Sequence, residues 1–351
     1  MVSEVAQLLK EMSDFYYVYI VGFRLIAGFL TGCAFSLGAG LVFLRNAALF
    51  RAPVRKDTPE SHQAKNYTPT MGGIIILVSV LGSSLIWCTF TPEVWIFLSC
   101  LIGFGLIGLW DDLSKLYYSK GIAEKHKFAA QIFIASLIVF LWYFLLEPST
   151  ALSFPFFKEL LPHLGLALIP WALFILVGTS NAVNLTDGLD GLAASSLIVS
   201  YASFSLICLL AGHSVSAFYL AIPFTPTLEI AVLGSIMVGA LIGFLWYNSH
   251  PAQLFMGDVG SLPLGSCLAL MALMARQELL LPLIGCVFVA ETLSVIAQVT
   301  SFKLFGKRIF KMAPFHHHFE LSGMHEAKIT TRCVLITTVL SILTLMLFIY
   351  Y

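Results

Sequence analysis

The sequence predicts an all-α, polytopic integral membrane protein of about ten transmembrane helices. Three observations carry that expectation: an apolar composition, repeated apolar runs of spanning length, and positive charge confined to alternate loops. The 351 residues are 59% hydrophobic and 11% charged, with a mean hydropathy of +0.91, well beyond a soluble globular domain. A formal net charge of zero argues against nucleic acid as a partner.

Crossing roughly 30 Å of hydrocarbon takes about 20 apolar residues in a helix. The first such run, near 18–44, is followed by a loop carrying Arg45, Arg51, Arg55, Lys56 and Lys65. Runs near 71–91 and 94–110 come next, and the second ends in Leu109-Trp110 before Asp111-Asp112. Lys115, Lys120, Lys125 and Lys127 precede a run near 128–146, and the loop 147–165 leads to runs near 167–183 and 191–211. Pro223 and Pro226 interrupt the stretch 214–228, which is compatible with an interfacial helix. Runs near 229–247, 262–275, 279–302 and 333–351 complete the series, with Lys303, Lys307, Arg308, Lys311, Lys328 and Arg332 between the last two.

An even number of spans puts both termini on one side. The face opposite these basic loops holds only Lys10, Lys158 and Arg276, so the positive-inside rule makes the basic face cytoplasmic and both termini periplasmic. Residues 1–17 carry Glu4, Lys10, Glu11 and Asp14 and show no cleavable signal peptide. The seven cysteines lie singly in or beside apolar runs, as small packing residues do. No linker or repeat divides the chain, so residues 1–351 read as one transmembrane helical domain with cytoplasmic active-site loops. Gly103-Phe-Gly105-Leu-Ile-Gly108 matches a dinucleotide pattern but lies inside an apolar run with no preceding strand, where close helix packing explains it better.

Five of the seven aspartates fall in three short motifs that abut apolar runs on the basic side: Asp111-Asp112, Asp187 with Asp190, and Asp258. Neighbouring helical residues point about 100° apart, so Asp111 and Asp112 are expected to divide their labour rather than serve one ion. In Asn181-Ala-Val-Asn184-Leu-Thr-Asp187-Gly188-Leu-Asp190-Gly191, Asn184 and Asp187 share a helical face and the glycines admit a ligand close to the backbone. A capped turn would use the same residue types, but so many polar groups between two apolar runs favour function. In Asn248–Ser261 the flanked Asp258 is the first choice for a hard-cation ligand, a role compatible with capping the next helix. Five acids together repel; a divalent cation or Lys65, Lys125 and Lys127 would neutralise them, and magnesium-bridged phosphates suit such a mixture. Singly, those lysines are ordinary positive-inside anchors.

His316-His317-His318 cannot all reach one ion from a regular helix, so a phosphate-facing loop fits better than a zinc site. Glu291, seven residues before Gln298, is an ionisable group within an apolar run and a functional candidate on that ground; an interhelical hydrogen bond serves equally as its role.

Tyr67-Thr-Pro-Thr70-Met-Gly-Gly73, Asp111-Asp112, 181–191, 248–260 and Pro314-Phe-His-His-His-Phe-Glu320 together resemble the phospho-N-acetylmuramoyl-pentapeptide transferase family nearly end to end. The aspartate motifs belong to the wider polyprenyl-phosphate N-acetylhexosamine-1-phosphate transferase superfamily, whereas 68–73 and 316–320 point to the peptidoglycan branch. The resemblance implies a Mg2+-dependent phosphotransferase of the bacterial inner membrane, with ten helices and a homodimeric state. Its substrates would be UDP-N-acetylmuramoyl-pentapeptide and the membrane lipid undecaprenyl phosphate, and its products lipid I and UMP.

Carried over, the family's roles give Asp258 to magnesium, and Asp111 or Asp112 to metal or to the proton of the lipid phosphate. Asn184, Asp187, Gly188, Leu189, Asp190 and Phe255 would line the uridine, with Phe255 stacking on uracil. Lys65, Thr70, Lys127, Asn248, His317 and His318 would surround the phosphates and sugar, the two histidines within the catalytic set. Three other readings stand beside this one, the last in rank a structural membrane scaffold whose polar motifs are only capped loops, which leaves three Asp/Asn/Gly clusters on one side unexplained. A relative transferring N-acetylglucosamine-1-phosphate is opposed by the His316–His318 loop. A cation-coupled transporter would keep its acids near mid-membrane, and only Glu291 is deep.

Overall fold

The computed structural model of the protein describes residues 2–46, 68–118, 120–154, 157 and 160–350, with side chains from Tyr19 onward. Among the described residues the regular structure is helical, apart from a single antiparallel bridge between Ala151 and His163. In chain order the helices are α1 (Val2–Arg45), α2 (Gly73–Trp87), α3 (Pro92–Tyr118), α4 (Glu124–Leu146), α5 (Leu168–Thr186), α6 (Leu192–Gly212) and α7 (Ser214–Tyr219). They continue with α8 (Leu228–Asn248), α9 (Asp258–Met274), α10 (Leu281–Ile284), α11 (Cys286–Phe305), α12 (Phe315–Glu320) and α13 (Glu326–Tyr350). Among the described residues eight helices are long and apolar enough to cross a membrane, and α2 and α9 are shorter apolar helices in the same bundle.

Three helices run further toward the polar end than hydropathy indicates. Helix α3 continues eight residues past Trp110, α4 begins at Glu124, and α13 begins at Glu326 rather than near 333. In each case the added turns are charged, and those charges have partners: Lys115 and Lys127 meet the aspartates, and Glu326 accepts the Asp190 N–H at 2.6 Å. Hydropathy measures cost in hydrocarbon and is blind to such pairing.

Helix α9 is the centre of the bundle. Every residue from Val259 to Met274 is buried, the pattern of a helix apolar on all sides and enclosed by others. Helices α3 and α5 flank it, and polar side chains dock on its carbonyls: Ser180 on Leu262 at 2.9 Å and Tyr201 on Leu264 at 2.6 Å. Two glycines let neighbouring backbones reach its first turn. A β-carbon on Gly108 of α3 would lie 2.1 Å from the Asp258 carbonyl oxygen, and one on Gly73 of α2 would lie 2.3 Å from Gly260 Cα. The other two glycines of the discarded dinucleotide pattern, Gly103 and Gly105, face Ile134 and Leu77.

Helices α1 and α8 pack together and are tied at the end remote from Asp258. There Arg24 donates to both Glu229 oxygens at 2.8 and 2.5 Å and to the Trp87 carbonyl at 2.7 Å. Such a bidentate pair places a charge in an apolar run at low cost. The seven cysteines are free thiols, buried or half-buried.

The Gly108 contact predicts a specific stability effect. Gly108→Ala should lower stability by about 1–3 kcal/mol through overpacking against α9. Gly38→Ala, with nothing within 4 Å of the new carbon, should be neutral or mildly stabilising as a helical glycine replacement. Thermal unfolding of both variants in detergent checks this, and equal losses would refute it.

Candidate active site

Asp258 is the first residue of α9, so its carboxylate sits at the positive end of a helix dipole with the buried bundle behind it. Helix α3 brings Asp111, Asp112 and Lys115 to the same point. Lys115 Nζ lies 2.7 Å from Asp111 Oδ2, 3.2 Å from Asp112 Oδ1 and 3.2 Å from Asp258 Oδ2. Lys127, in the first turn of α4, makes a short ion pair with Asp258 and lies 3.8 Å from Asp111 Oδ2. Asp112 Oδ2 accepts the Val259 N–H at 3.0 Å, and Asp111 Oδ1 accepts the Ile122 N–H at 2.8 Å.

The adjacent aspartates therefore do converge on one cation, unlike the division expected from their 100° separation. Lys115 follows them by four and three residues on the same helix and so reaches both, and the closeness of α3 to the head of α9 adds Asp258 to the same ammonium. Asp111, Asp112 and Asp258 offer oxygens within 4.8 Å of one another, a group able to hold a metal ion. That spread suits a hard divalent cation bound directly by one or two carboxylates with waters completing the shell.

The second motif closes one side of the cluster. Asn184, on the last turn of α5, donates to Asp258 Oδ1 at 2.9 Å and Ser261 Oγ at 2.8 Å. Asp187 caps the same helix. Burial pushes its carboxyl up to about 7, with the Asp258 and Asp112 charges acting in the same direction and the Gly257 N–H and Lys115 opposing. Thr70 is also at hand: a β-carbon on Gly257 would lie 3.1 Å from its hydroxyl and 2.6 Å from Asp112 Oδ2. Gly257 has φ +74°, a conformation suited to glycine, and this turn sets Asp258 beside α3.

The remaining motif residues frame the loops. Phe255 is half-buried and clamps the 69–72 turn through its backbone, donating to Pro69 O at 2.8 Å and accepting from Gly72 N at 2.8 Å. Asn248 is buried, accepts the Gly191 N–H at 3.2 Å and donates to Leu254 O at 2.9 Å. Leu189 packs into a small apolar cluster with Leu192, Val287 and Ile329. Asp190 is buried; its Oδ2 is paired with His250 Nδ1 at 2.9 Å and accepts the Ala252 N–H at 3.1 Å. Asp190, His250 and Glu326 form a second group able to hold a metal ion, but hydrogen bonds within it already lock the 188–191 turn to α13. Lys65 lies outside the described residues.

The histidine loop is fixed by α11. Gln298 accepts the Ile309 and Phe310 N–H groups and donates to Phe310 O, each at 3.0 Å. Buried Glu291 accepts the His316 N–H with both oxygens at 3.2 Å and faces His316 Nδ1 at 3.2 Å. Of the two roles open to Glu291, the observed one is a tie between this helix and the loop. His316 is itself buried, its Nε2 has no protein partner, and it lies where a β-carbon on Gly188 would approach to 2.3 Å. His317 pairs with Glu320 at 3.1 Å, and His318 accepts the Lys311 N–H at 3.2 Å. His316 thus reaches the aspartate loops beside Gly188.

Lys115, His250, Glu326 and the orientation of His316 were outside the residues singled out from sequence. For Lys115 the signal was present as i, i+3 and i+4 spacing from the two aspartates. His250 and Glu326 meet across distant parts of the chain, and no local pattern marks them.

Comparisons with known proteins agree with this geometry. The family described as glycosyl transferase family 4 matches residues 94–276, and phospho-N-acetylmuramoyl-pentapeptide-transferase signature 1 matches residues 65–77. Proteins named phospho-N-acetylmuramoyl-pentapeptide-transferase from Citrifermentans bemidjiense and Geobacter sp. strain M21 are each 45% identical over 326 residues, 91% of both chains. The protein of that name from Aquifex aeolicus is 48% identical over 298 residues, 84% of this chain and 83% of its own. Similarity of that extent, spanning every motif of the acidic cluster, makes this chain a member of the phospho-N-acetylmuramoyl-pentapeptide transferase family.

Proposed function

We propose that the protein transfers phospho-N-acetylmuramoyl-pentapeptide from its UDP carrier to undecaprenyl phosphate, giving lipid I and UMP. It would work at the cytoplasmic face of the bacterial inner membrane, as a homodimer of ten-span subunits, each a single domain with both termini periplasmic. The observation that carries this reading is the convergence of Asp111, Asp112 and Asp258 with Lys115 and Lys127 at one end of the bundle. Two phosphate-bearing substrates need such a site, where their mutual repulsion can be neutralised.

An oxygen of the lipid phosphate attacks the sugar-linked phosphorus, a new P–O bond forms, and the bond to UMP breaks. That oxygen is already ionised near neutral pH, so direct attack needs alignment more than a strong base. Magnesium bound at the three aspartates would supply charge neutralisation on the diphosphate. Lys115 and Lys127 would shift from the carboxylates to the phosphate oxygens as the substrates enter. Asp111 or Asp112 would take any proton left on the lipid phosphate. Asn184, Asp187, Gly188, Leu189, Asp190 and Phe255 would hold the uridine. Thr70, Lys65, Asn248, His317 and His318 would serve the phosphates and sugar, with His316 offering Nε2 beside Gly188.

The lipid has a matching surface. A cleft of about 300 Å³ between α5, α10 and α11 is lined by Phe174, Gly178, Leu281, Phe288 and Leu293, and its wall includes Ala182 and Thr292. Ala182 precedes Asn184 by two residues, and Thr292 follows Glu291. A polyprenyl chain lying in this cleft would bring its phosphate to the aspartates from the membrane side.

Four outcomes test this reading. Purified protein should release UMP from UDP-N-acetylmuramoyl-pentapeptide only when undecaprenyl phosphate and magnesium are both present. Asp258→Asn should reduce that rate by about 10³-fold or more; release without lipid, or an unaffected variant, would overturn the assignment. Glu291→Gln should lower kcat about tenfold or more through misplacement of His316, with KM for the nucleotide little changed and Glu291→Asp recovering part of the loss. Metal-free protein should lose stability as pH rises from about 4 to about 7, because folded Asp187 keeps a proton that the unfolded chain has released. Asp187→Asn should lessen the slope of thermal midpoints across that window, and an unchanged slope would exclude Asp187 as a contributor.

A further inference from the structure

The end of the bundle remote from Asp258 contains a cleft that the proposed transfer does not use. Helix α9 carries the chain about 25 Å from Asp258 to Met274, and the next turn places Arg276 in a left-handed conformation, φ +55°. A non-glycine residue held there marks strain that the surrounding structure maintains, often at a ligand site. Arg276 Nη2 donates to the Ala151 carbonyl at 2.9 Å. Its Nε is buried without a partner, as is the hydroxyl of Ser153, a residue only 6% exposed.

Arg276 and Ser153, the residues that carry these two unsatisfied groups, line one cleft of about 250 Å³, and its other walls include Phe154, Leu161, Ile222 and Phe348. Buried polar groups are nearly always hydrogen-bonded, so two orphans on residues that line one cavity point to a missing partner. A guanidinium nitrogen can only donate, and a hydroxyl can donate as well, so the partner offers acceptor oxygens. Among the described residues the opposing charge that acts on Arg276 is that of Glu278, whose carboxylate takes the Trp171 N–H at 3.3 Å.

The surroundings select the class of ligand. Phe348 lies on the last turns of α13, whose outer face exposes Ile342, Met346 and Ile349. Phe218 and Tyr219 of α7, just before Ala221 and Ile222 of the cleft wall in the chain, are 81% and 80% exposed. Exposed aromatic residues beside an apolar helix face mark the depth of lipid headgroups. We infer that the Arg276–Ser153 cleft binds the phosphodiester headgroup of an anionic membrane lipid, with Phe154, Leu161 and Phe348 against its glycerol and upper acyl carbons.

Thermal unfolding of the full-length protein in detergent, without substrate, tests this independently of the transferase reading. Phosphatidylglycerol should raise the midpoint at least about 2 °C more than phosphatidylcholine of the same chains. Arg276→Gln and Ser153→Ala should each remove that difference, and native mass spectrometry should show fewer phosphatidylglycerol molecules retained by each. Ser153→Ala keeps the Ala151 contact, so it remains informative if Arg276→Gln folds poorly, and it should leave UMP release unchanged. Equal effects of the two lipids, persistence of the difference in Ser153→Ala, or the same shift from inorganic phosphate alone would each overturn the proposal.

Discussion

The structure depends on one charged contact: Asp258 at the head of the buried helix α9, held by Lys115, Lys127 and Asn184. An isolated carboxylate at that depth would be costly. Two ammonium groups and an amide offset the cost, and each comes from a different helix. The same contact therefore sets the relative heights of α3, α4, α5 and α9 at the polar end. Gly73 and Gly108 serve it too, because a side chain at either position would push a neighbouring backbone away from the first turn of α9.

That contact also explains why the polar groups of this chain gather at one end. Asp111 and Asp112 lie beside Asp258, and three carboxylates repel unless cations stand between them. Lys115, touching all three, is the cation already built into the fold. Incoming phosphates would compete for the same ammonium, so the empty site and the filled one are electrostatically related states. The loops around it are held by backbone contacts, such as Phe255 to Pro69 and Gly72, and by buried side chains such as Asn248. Rigidity then comes from hydrogen bonds that need not be broken when a substrate enters.

The helical membrane architecture was legible because hydrophobic cost is local: each apolar run declares itself. The three aspartate motifs were legible for a related reason, since acids beside apolar runs are rare and need a purpose. What could not be read was convergence. Adjacency on a helix argued that Asp111 and Asp112 would part company, yet Lys115, four and three residues further along the same helix, reaches both, and only the closeness of α3 to α9 adds Asp258 to that ammonium. The partners of Asp190, namely His250 and Glu326, lie 60 and 136 residues away, so no spacing rule could pair them. Helix ends were misjudged by several residues wherever a charged turn found a partner, as at Glu326.

Glu291 shows the same limit from the other side. Its position in an apolar run announced that it had a function, but the run could not say whether that function was chemical or structural. The carboxylate reaches out of α11 to the backbone and ring of His316, and Gln298, two turns along, holds the start of the same loop. Two polar residues placed within the span thus anchor a loop that lies outside it. A loop fixed only by its own turns would leave the His316 ring free to choose among rotamers. Anchored from within the bundle, the ring instead has one direction to face, toward Gly188 and the aspartate loops. Precision at the membrane surface is supplied here by polar groups buried below it.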